Sequence, residues 1–392
     1  MNEDKENWNN DTFYALGMYR AVTQVLGIWP INCENLFSKM RACVVVMLMI
    51  QMAVSFVPDL LVHCNTMTGI IDALTLMVGA LLTVIKIVVC YVNREKMFRI
   101  VHAAVKDWAT VEDDDEKNIM RRYAARGRFV FILQMGSTYI NAAGLIFGHI
   151  PFAGKSNDSE IITRGYPVGS SCVISSNTSD GVYIFKYVLQ SIQLFIQITG
   201  NIGGDVCFFV IAMYLCSQFV ILNSAFERCK IHTNYGNQKI CQLIQRHQYL
   251  LSLVDYFEDV YNLVILGQLL ANGLFISITV IILLISLRDG DLLGIFESLI
   301  RLDLFYIQLF IYSYAGDHLT SNIEKVKFAV YCCEWYSFPL GTAKNLVFVI
   351  MRINRHFHLT AGKFYRMNLE NFKNIVKLMG SFFSVLRLIF VD

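Results

Sequence analysis

The side chains that could do chemistry are few, and their spacing excludes most chemistry. The chain has no Ser-His-Asp order, no HExxH pair, no glycine-rich phosphate loop and no Cys/His ligand spacing. It is therefore not expected to be an enzyme, and no cofactor or metal is assigned to it. His356 and His358 flank Phe357 in a basic stretch, where a solvated or phosphate-facing role fits better than metal binding. The 11 cysteines lie mostly in apolar runs or basic loops and read as packing residues. Only Cys64 and Cys172 would face an oxidising compartment, and a disulfide between them stays open. Asn157 in Asn-Asp-Ser and Asn177 in Asn-Thr-Ser are candidate glycosylation sites if their shared loop lies outside the cell.

Charges inside apolar runs carry more information, because a charge in hydrocarbon is costly and often marks a pathway. Lys86 lies within two turns of the basic end of its run and is expected to snorkel to the interface. Asp72, at the other end of the same run, is either a water-facing pocket residue or an interface residue. Glu297 and Arg301 stand four apart and are expected to pair along one helix, with Asp303 nearby. Near the C-terminus, Asn374, Lys377, Ser381, Val385 and Leu388 recur at intervals of three and four and so share one helix face. A partly polar stripe ending in aliphatics suits a helix lining a water-filled pore with a hydrophobic constriction. Periodicity alone fits an ordinary packing face equally well.

Apolar runs position these residues. Hydrophobic residues make up 55% of the chain and charged residues 16%, with only 5 prolines, and a water-soluble core cannot absorb that composition. Runs of membrane-spanning length recur throughout, and in lipid such runs form helices that satisfy their own backbone. Spans are placed at Arg41–Leu61, Thr68–Val92, Arg128–Ile150, Val182–Leu222, Leu250–Leu287, Leu293–Tyr314 and Phe372–Phe390. The 93–128 loop carries nine Lys or Arg residues and the 63–67 turn none, which puts that loop and the N-terminus in the cytosol and the C-terminus outside. Residues 1–11 lack an apolar signal-peptide core, so the first span is the expected membrane signal. The net charge of +2 names no partner, and no nucleic-acid contact is expected.

The fourth run is about 41 residues, roughly 60 Å as a helix and about twice the hydrocarbon thickness. A turn at Gly203-Gly204-Asp205 would split it, but would also carry Arg228, Lys230, Lys239 and Arg246 to the outside. One long helix is the better reading. Spans five and six also run on past the bilayer, so three helices project into the cytosol. Their apolar surface must be covered, either by other subunits or within a self-contained bundle. The expected fold is thus all-α with seven transmembrane helices. The expected divisions are a cytosolic segment (1–40), helices one to six (41–315), a cytosolic anchor (316–371) and a last helix with a short tail (372–392).

Several motifs carry a resemblance. Glu334-Trp335-Tyr336, Pro339-Leu340, Leu359-Thr360-Ala361-Gly362-Lys363-Phe364-Tyr365 and Ser381-Phe382-Phe383-Ser384-Val385-Leu386-Arg387 look like the closing signature of insect odorant receptors. Phe310-Ile311-Tyr312-Ser313-Tyr314-Ala315-Gly316-Asp317 resembles the same family's span-six motif, and the arginine-containing ending is similar to those of ants and other Hymenoptera. The resemblance implies an odorant-gated, non-selective cation channel in the plasma membrane of a sensory-neuron dendrite. It would be a heterotetramer with the odorant co-receptor, its pore lined by the last helix, with Val385 at the gate beside Ser381 and Leu388. The co-receptor and the gustatory relatives end in a Tyr and Gln pattern where this chain has Phe382 and Leu388, so it looks like a tuning subunit. His356 stands where many relatives have proline.

By position in the family, the outer halves of spans two, three, four and six would bind a small volatile molecule through Asp72, Leu74, Thr75, Tyr139, Ala143, Phe147, Leu189, Phe296 and Ile300. An apolar cavity of that kind gains affinity mainly from burial, at about 25 cal/mol per Å². The rival classes are a gustatory-type receptor channel, a seven-span G-protein-coupled receptor and a transporter, for which internal repeats absent from this sequence would be expected. The second would place its N-terminus outside and carry Asp-Arg-Tyr-like and Asn-Pro-x-x-Tyr motifs that this chain lacks.

Overall fold

The computed structural model describes residues 8–32, 35–57, 67–148, 166–167, 179–228, 236–333, 340–353 and 357–390. Ten helices and one short hairpin account for almost all of them. In chain order these are α1 (Asn10–Leu26), α2 (Leu36–Ser55), α3 (Met67–Val92), α4 (Arg94–Thr110), α5 (Asp114–Gly148), α6 (Asp180–Glu227), α7 (Gly236–Asp289), α8 (Leu292–Cys332), α9 (Leu340–Ile353), the strands β1 (Thr360–Ala361) and β2 (Tyr365–Arg366), and α10 (Leu369–Phe390). The seven expected spans correspond to α2, α3, α5, α6, α7, α8 and α10. Of these, α2, α3, α5, α6 and α7 contain stretches long and apolar enough to cross a membrane.

The fourth run is one unbroken helix of 48 residues, and α7 and α8 reach 54 and 41. Gly203 and Gly204 make no turn; they let neighbours come close. A Cβ on Gly203 would lie 2.9 Å from Val22, and one on Gly200 would lie 2.3 Å from Thr83. α6 is the core of the bundle, packed on by α1, α2, α3, α5, α7 and α8. Its Phe208, Leu215, Cys216, Phe219 and Phe226 are wholly buried.

Two basic-side segments depart from expectation. The 93–128 stretch is helical almost throughout, as α4 and the first turns of α5. The N-terminal segment holds α1, whose Ala15, Leu16, Tyr19, Val22 and Leu26 are buried. Neither helix has a long apolar run, so hydropathy passes over both, although each buries one stripe at helical spacing. α1 is capped by the Asn9 side chain, which accepts from the Thr12 amide at 2.7 Å. It is clamped to α5 by Asp11, which meets Lys117 at 2.7 Å and Arg121 at 2.5 Å. Those two cations, Lys117 foremost, hold the Asp11 carboxyl below the ordinary carboxylate range.

Candidate functional site

α6 carries a polar ladder through its apolar length, because Gln193, Gln197, Asn201 and Asp205 follow one another at i+4 and share a face. Each rung reaches another helix. Gln193 donates to the Leu48 carbonyl of α2 at 3.1 Å, and Gln197 to the Leu76 carbonyl of α3 at 2.9 Å. Asn201 accepts twice from the Lys86 ammonium, through its carbonyl at 2.8 Å and its side-chain oxygen at 2.6 Å. Asp205 ion-pairs with Lys86 and also accepts from Gln308 and the Tyr312 hydroxyl of α8. Lys86 and Asp205 are buried.

This corrects the reading of Lys86 as a snorkelling side chain. All three ammonium hydrogens are answered inside the bundle, so there is nothing to gain by reaching the interface. The hub was legible in part, since four amide and acid residues at i+4 within an apolar run call for partners. It also explains the span-six motif: Tyr312 reaches Asp205, and its ring lies 4.7 Å from that of Phe208. Two residues on, Tyr314 stacks on His318, which stacks in turn on Tyr123 with Nε2 3.2 Å from the Tyr123 hydroxyl. Burial, then Arg126 and Lys325, push the His318 pKa below its ordinary value.

The residues placed in a ligand pocket fall into separate groups. Tyr139 shares a hydrogen bond with Thr199 at 2.7 Å and its ring is 5.9 Å from that of Phe195, beside a cluster that includes Met49, Met52, Ala142 and Ile198. Leu74 faces the other side of α3, packing with Leu82, Ala271, Phe275 and Phe305. Thr75, Ala143 and Leu189 are half-buried, whereas Phe147, Phe296 and Ile300 are 68%, 62% and 40% exposed on the outside of the single chain. Thr199 and Phe195, the partners of Tyr139, carry no mark in the sequence beyond their helix. The side chain of Asp72 lies outside the described residues, as do Asn157, Asn177, Cys64, Cys172 and His356. Glu297 and Arg301 pair at 3.4 Å as expected.

Among the described side chains of α10, those that pack on α7 and α8 lie on one side. Ile375 is half-buried in the main core, and Met379 and Phe383 pack against Ile276, Val280 and Leu284 of α7 and Leu302 and Phe305 of α8. Asn374, Lys377, Ser381 and Val385 face away and are exposed, Val385 at 53%; the Leu388 side chain lies outside the described residues. The β1–β2 hairpin sits immediately before this helix. Gly362 and Lys363 turn it at φ values of 61° and 67°. It docks on α7 through Gly362 N–H to the Asn262 carbonyl at 3.0 Å and the Thr360 hydroxyl to Glu258 at 2.6 Å. On α8 it meets Gly316, where a Cβ would lie 2.3 Å from the Met367 carbonyl oxygen. The span-six motif and the closing motif at Leu359–Tyr365 therefore meet at one joint at the base of α10.

A bundle of seven long helices, three of them overlong, with a buried polar hub defines a multi-pass membrane protein class. A family model described as 7tm Odorant receptor matches residues 66–380, and the chain belongs to that family. Odorant receptor Or1 of Anopheles gambiae is 24% identical over 258 residues, which cover 57% of this chain and 60% of that receptor. Odorant receptor 33a of Drosophila melanogaster is 21% identical over 208 residues, covering 52% and 54% of the two chains. This chain thus spans a little over half the length of these two curated relatives. Odorant receptor Or2 of Anopheles gambiae is 21% identical over 312 residues, covering 76% and 79%. The structure of the olfactory receptor OR5 from Machilis hrabei superposes with a TM-score of 0.76 at 14% identity, covering 96% of this chain and 99% of that one. Its complex with eugenol superposes with the same TM-score at 13% identity, covering 97% and 100%. This likeness shows the seven-helix fold.

Proposed function

We propose that this chain is the odorant-binding subunit of a ligand-gated, non-selective cation channel, assembled as a heterotetramer with the odorant co-receptor in the plasma membrane of a sensory-neuron dendrite. A small volatile molecule binds among the outer halves of α3, α5, α6 and α8, where Asp72, Leu74, Thr75, Tyr139, Ala143, Phe147, Leu189, Phe296 and Ile300 lie. Opening occurs along α10. The observation that carries this reading is the two-sided character of α10: its apolar side packs on α7 and α8, while Asn374, Lys377, Ser381 and Val385 remain exposed. A helix with that division is suited to a central pore shared by several subunits, with Val385 and Leu388 as its hydrophobic gate and Ser381 just before them.

Assembly rests on the basic side, which is the cytosolic side in this orientation. There α9 leaves Leu340, Val347, Phe348 and Met351 exposed, and α8 leaves Phe328 and Tyr331 exposed at 73% and 66%. Patches of that kind in water are usually covered by protein. The eugenol complex of the Machilis hrabei receptor supports a small organic ligand for this chain. Expression in cells with and without a co-receptor tests the proposal. Odorant-evoked cation current is expected only with both chains, and robust current from this chain alone would overturn the partner requirement.

A further inference from the structure

α5, α6 and α8 enclose an open groove of about 520 Å³, lined by Phe129, Val130, Phe209, Phe310 and Tyr314 with Arg126 at its rim. Phe129 is 67% exposed and Phe310 42%, which are costly exposures in water and natural ones beside lipid. The groove lies where α5 changes character. Arg122, Arg126, Phe129 and Leu133, spaced by four, three and four, form an exposed stripe that is basic at its start and apolar beyond. Such a stripe marks the level at which a helix passes from headgroups into hydrocarbon.

The cations nearby differ in what answers them. Arg121 is held by Asp11, Arg228 lies beside Asp113 and Asp115, and Arg128 donates to the Tyr14 carbonyl at 2.8 Å with its guanidinium over the Tyr14 ring. Among the described residues no carboxylate pairs with Arg126. Its guanidinium lies 5.0 Å over the Tyr123 ring, which fixes it at the mouth of the groove.

We propose that this groove is a binding site for an anionic phospholipid, with one acyl chain against Phe129, Phe209 and Phe310 and the net negative headgroup on Arg126, reinforced by Arg122. Charge complementarity selects that occupant: an apolar trough ending at an unpaired guanidinium matches a lipid with a negative headgroup, and such lipids enrich the cytosolic leaflet. Only the choice of leaflet rests on the orientation proposed above. Vesicles carry the lipid in both leaflets, so an error in orientation would not alter the binding result.

The test is native mass spectrometry of the full chain recovered from vesicles of phosphatidylcholine and phosphatidylserine. The unaltered chain should retain phosphatidylserine in preference to phosphatidylcholine. Arg126→Gln should weaken that preference about fivefold, while Arg128→Gln, the same charge deletion two residues away, should leave it unchanged. Phe129→Ala should reduce retention of both lipids. Equal retention of the two lipids by the unaltered chain, or an unchanged preference in Arg126→Gln, would overturn the site. So would efficient cross-linking of Phe129→Cys to a neighbouring subunit, which would show that protein fills the groove.

Discussion

Replacing Asp205 by Leu would leave Lys86 buried with only Asn201 to answer its charge, and would orphan Gln308 and Tyr312 as well. Removing one partner of a buried pair typically costs about 3–5 kcal/mol, so Asp205→Leu should lose most surface expression. The double variant Lys86→Met/Asp205→Asn keeps an acceptor for Gln308 and Tyr312 while deleting both charges, and should recover part of that expression. Equal loss in both would mean that the charges themselves are not what holds α3, α6 and α8 together. His318 gives a second prediction at this scale. Its folded pKa lies below the ordinary 6.5, so the unfolded chain takes up the proton first. The stability it contributes is complete above pH 6.5 and is lost as pH falls through the lowered folded value. The Asp11 clamp is lost only at more acid pH, below the usual carboxylate value of 3.8. Thermal melts of detergent-purified protein between about pH 7 and about pH 5 should therefore show a destabilisation that His318→Gln diminishes; an identical pH profile in the variant would contradict this.

At the scale of elements, the hairpin before α10 is set by two close approaches. Gly316→Ala would drive a methyl into the Met367 carbonyl, and Gly362→Ala would face both a positive φ and Leu266 at 2.7 Å. The backbone term at Gly362 alone amounts to about 1–2 kcal/mol. Both variants should lower odorant-evoked current per receptor at the surface; normal currents from Gly316→Ala would show that the joint does not position α10. The segment before α6 carries a topological prediction: glycosidase should shift the mobility of the expressed chain, and replacing both Asn157 and Asn177 by Gln should abolish the shift. A shift that survived there and vanished with Asn10→Gln would invert the orientation. Among the long helices, α2, α3, α5, α6 and α7 were legible because hydropathy integrates over whole spans, and the continuity of α6 followed from where a turn would have sent Arg228 and Arg246. α1 and α4 were not legible that way, since only one stripe of each is apolar. Lys86 was misread because its partners stand 115 and 119 residues away, a separation that local patterns do not report.

For the whole molecule, the proposed function separates recognition from conduction: a small ligand would be sensed beside Tyr139 in the α3–α5–α6 region, and ions would pass along the open face of α10. Phe305 belongs to both the Leu74 cluster and the cluster that supports α10, so packing is continuous between the two regions. The pocket residues were the least legible part, because volume and enclosure depend on side chains brought from several helices and, for Phe147, Phe296 and Ile300, on what covers the outside of the chain. Single-channel recording from the co-assembled receptor carrying Val385→Ala or Tyr139→Ala tests the separation most directly. A smaller side chain at a dewetting constriction favours the conducting state, so Val385→Ala should raise basal opening, partially because other subunits share the pore, with little change in the odorant midpoint. Tyr139→Ala removes a ring and the hydrogen bond to Thr199, and should raise the midpoint about tenfold without changing ionic selectivity. Unchanged basal opening in Val385→Ala together with altered selectivity in Tyr139→Ala would contradict the account, because pore and pocket would then lie on the wrong helices.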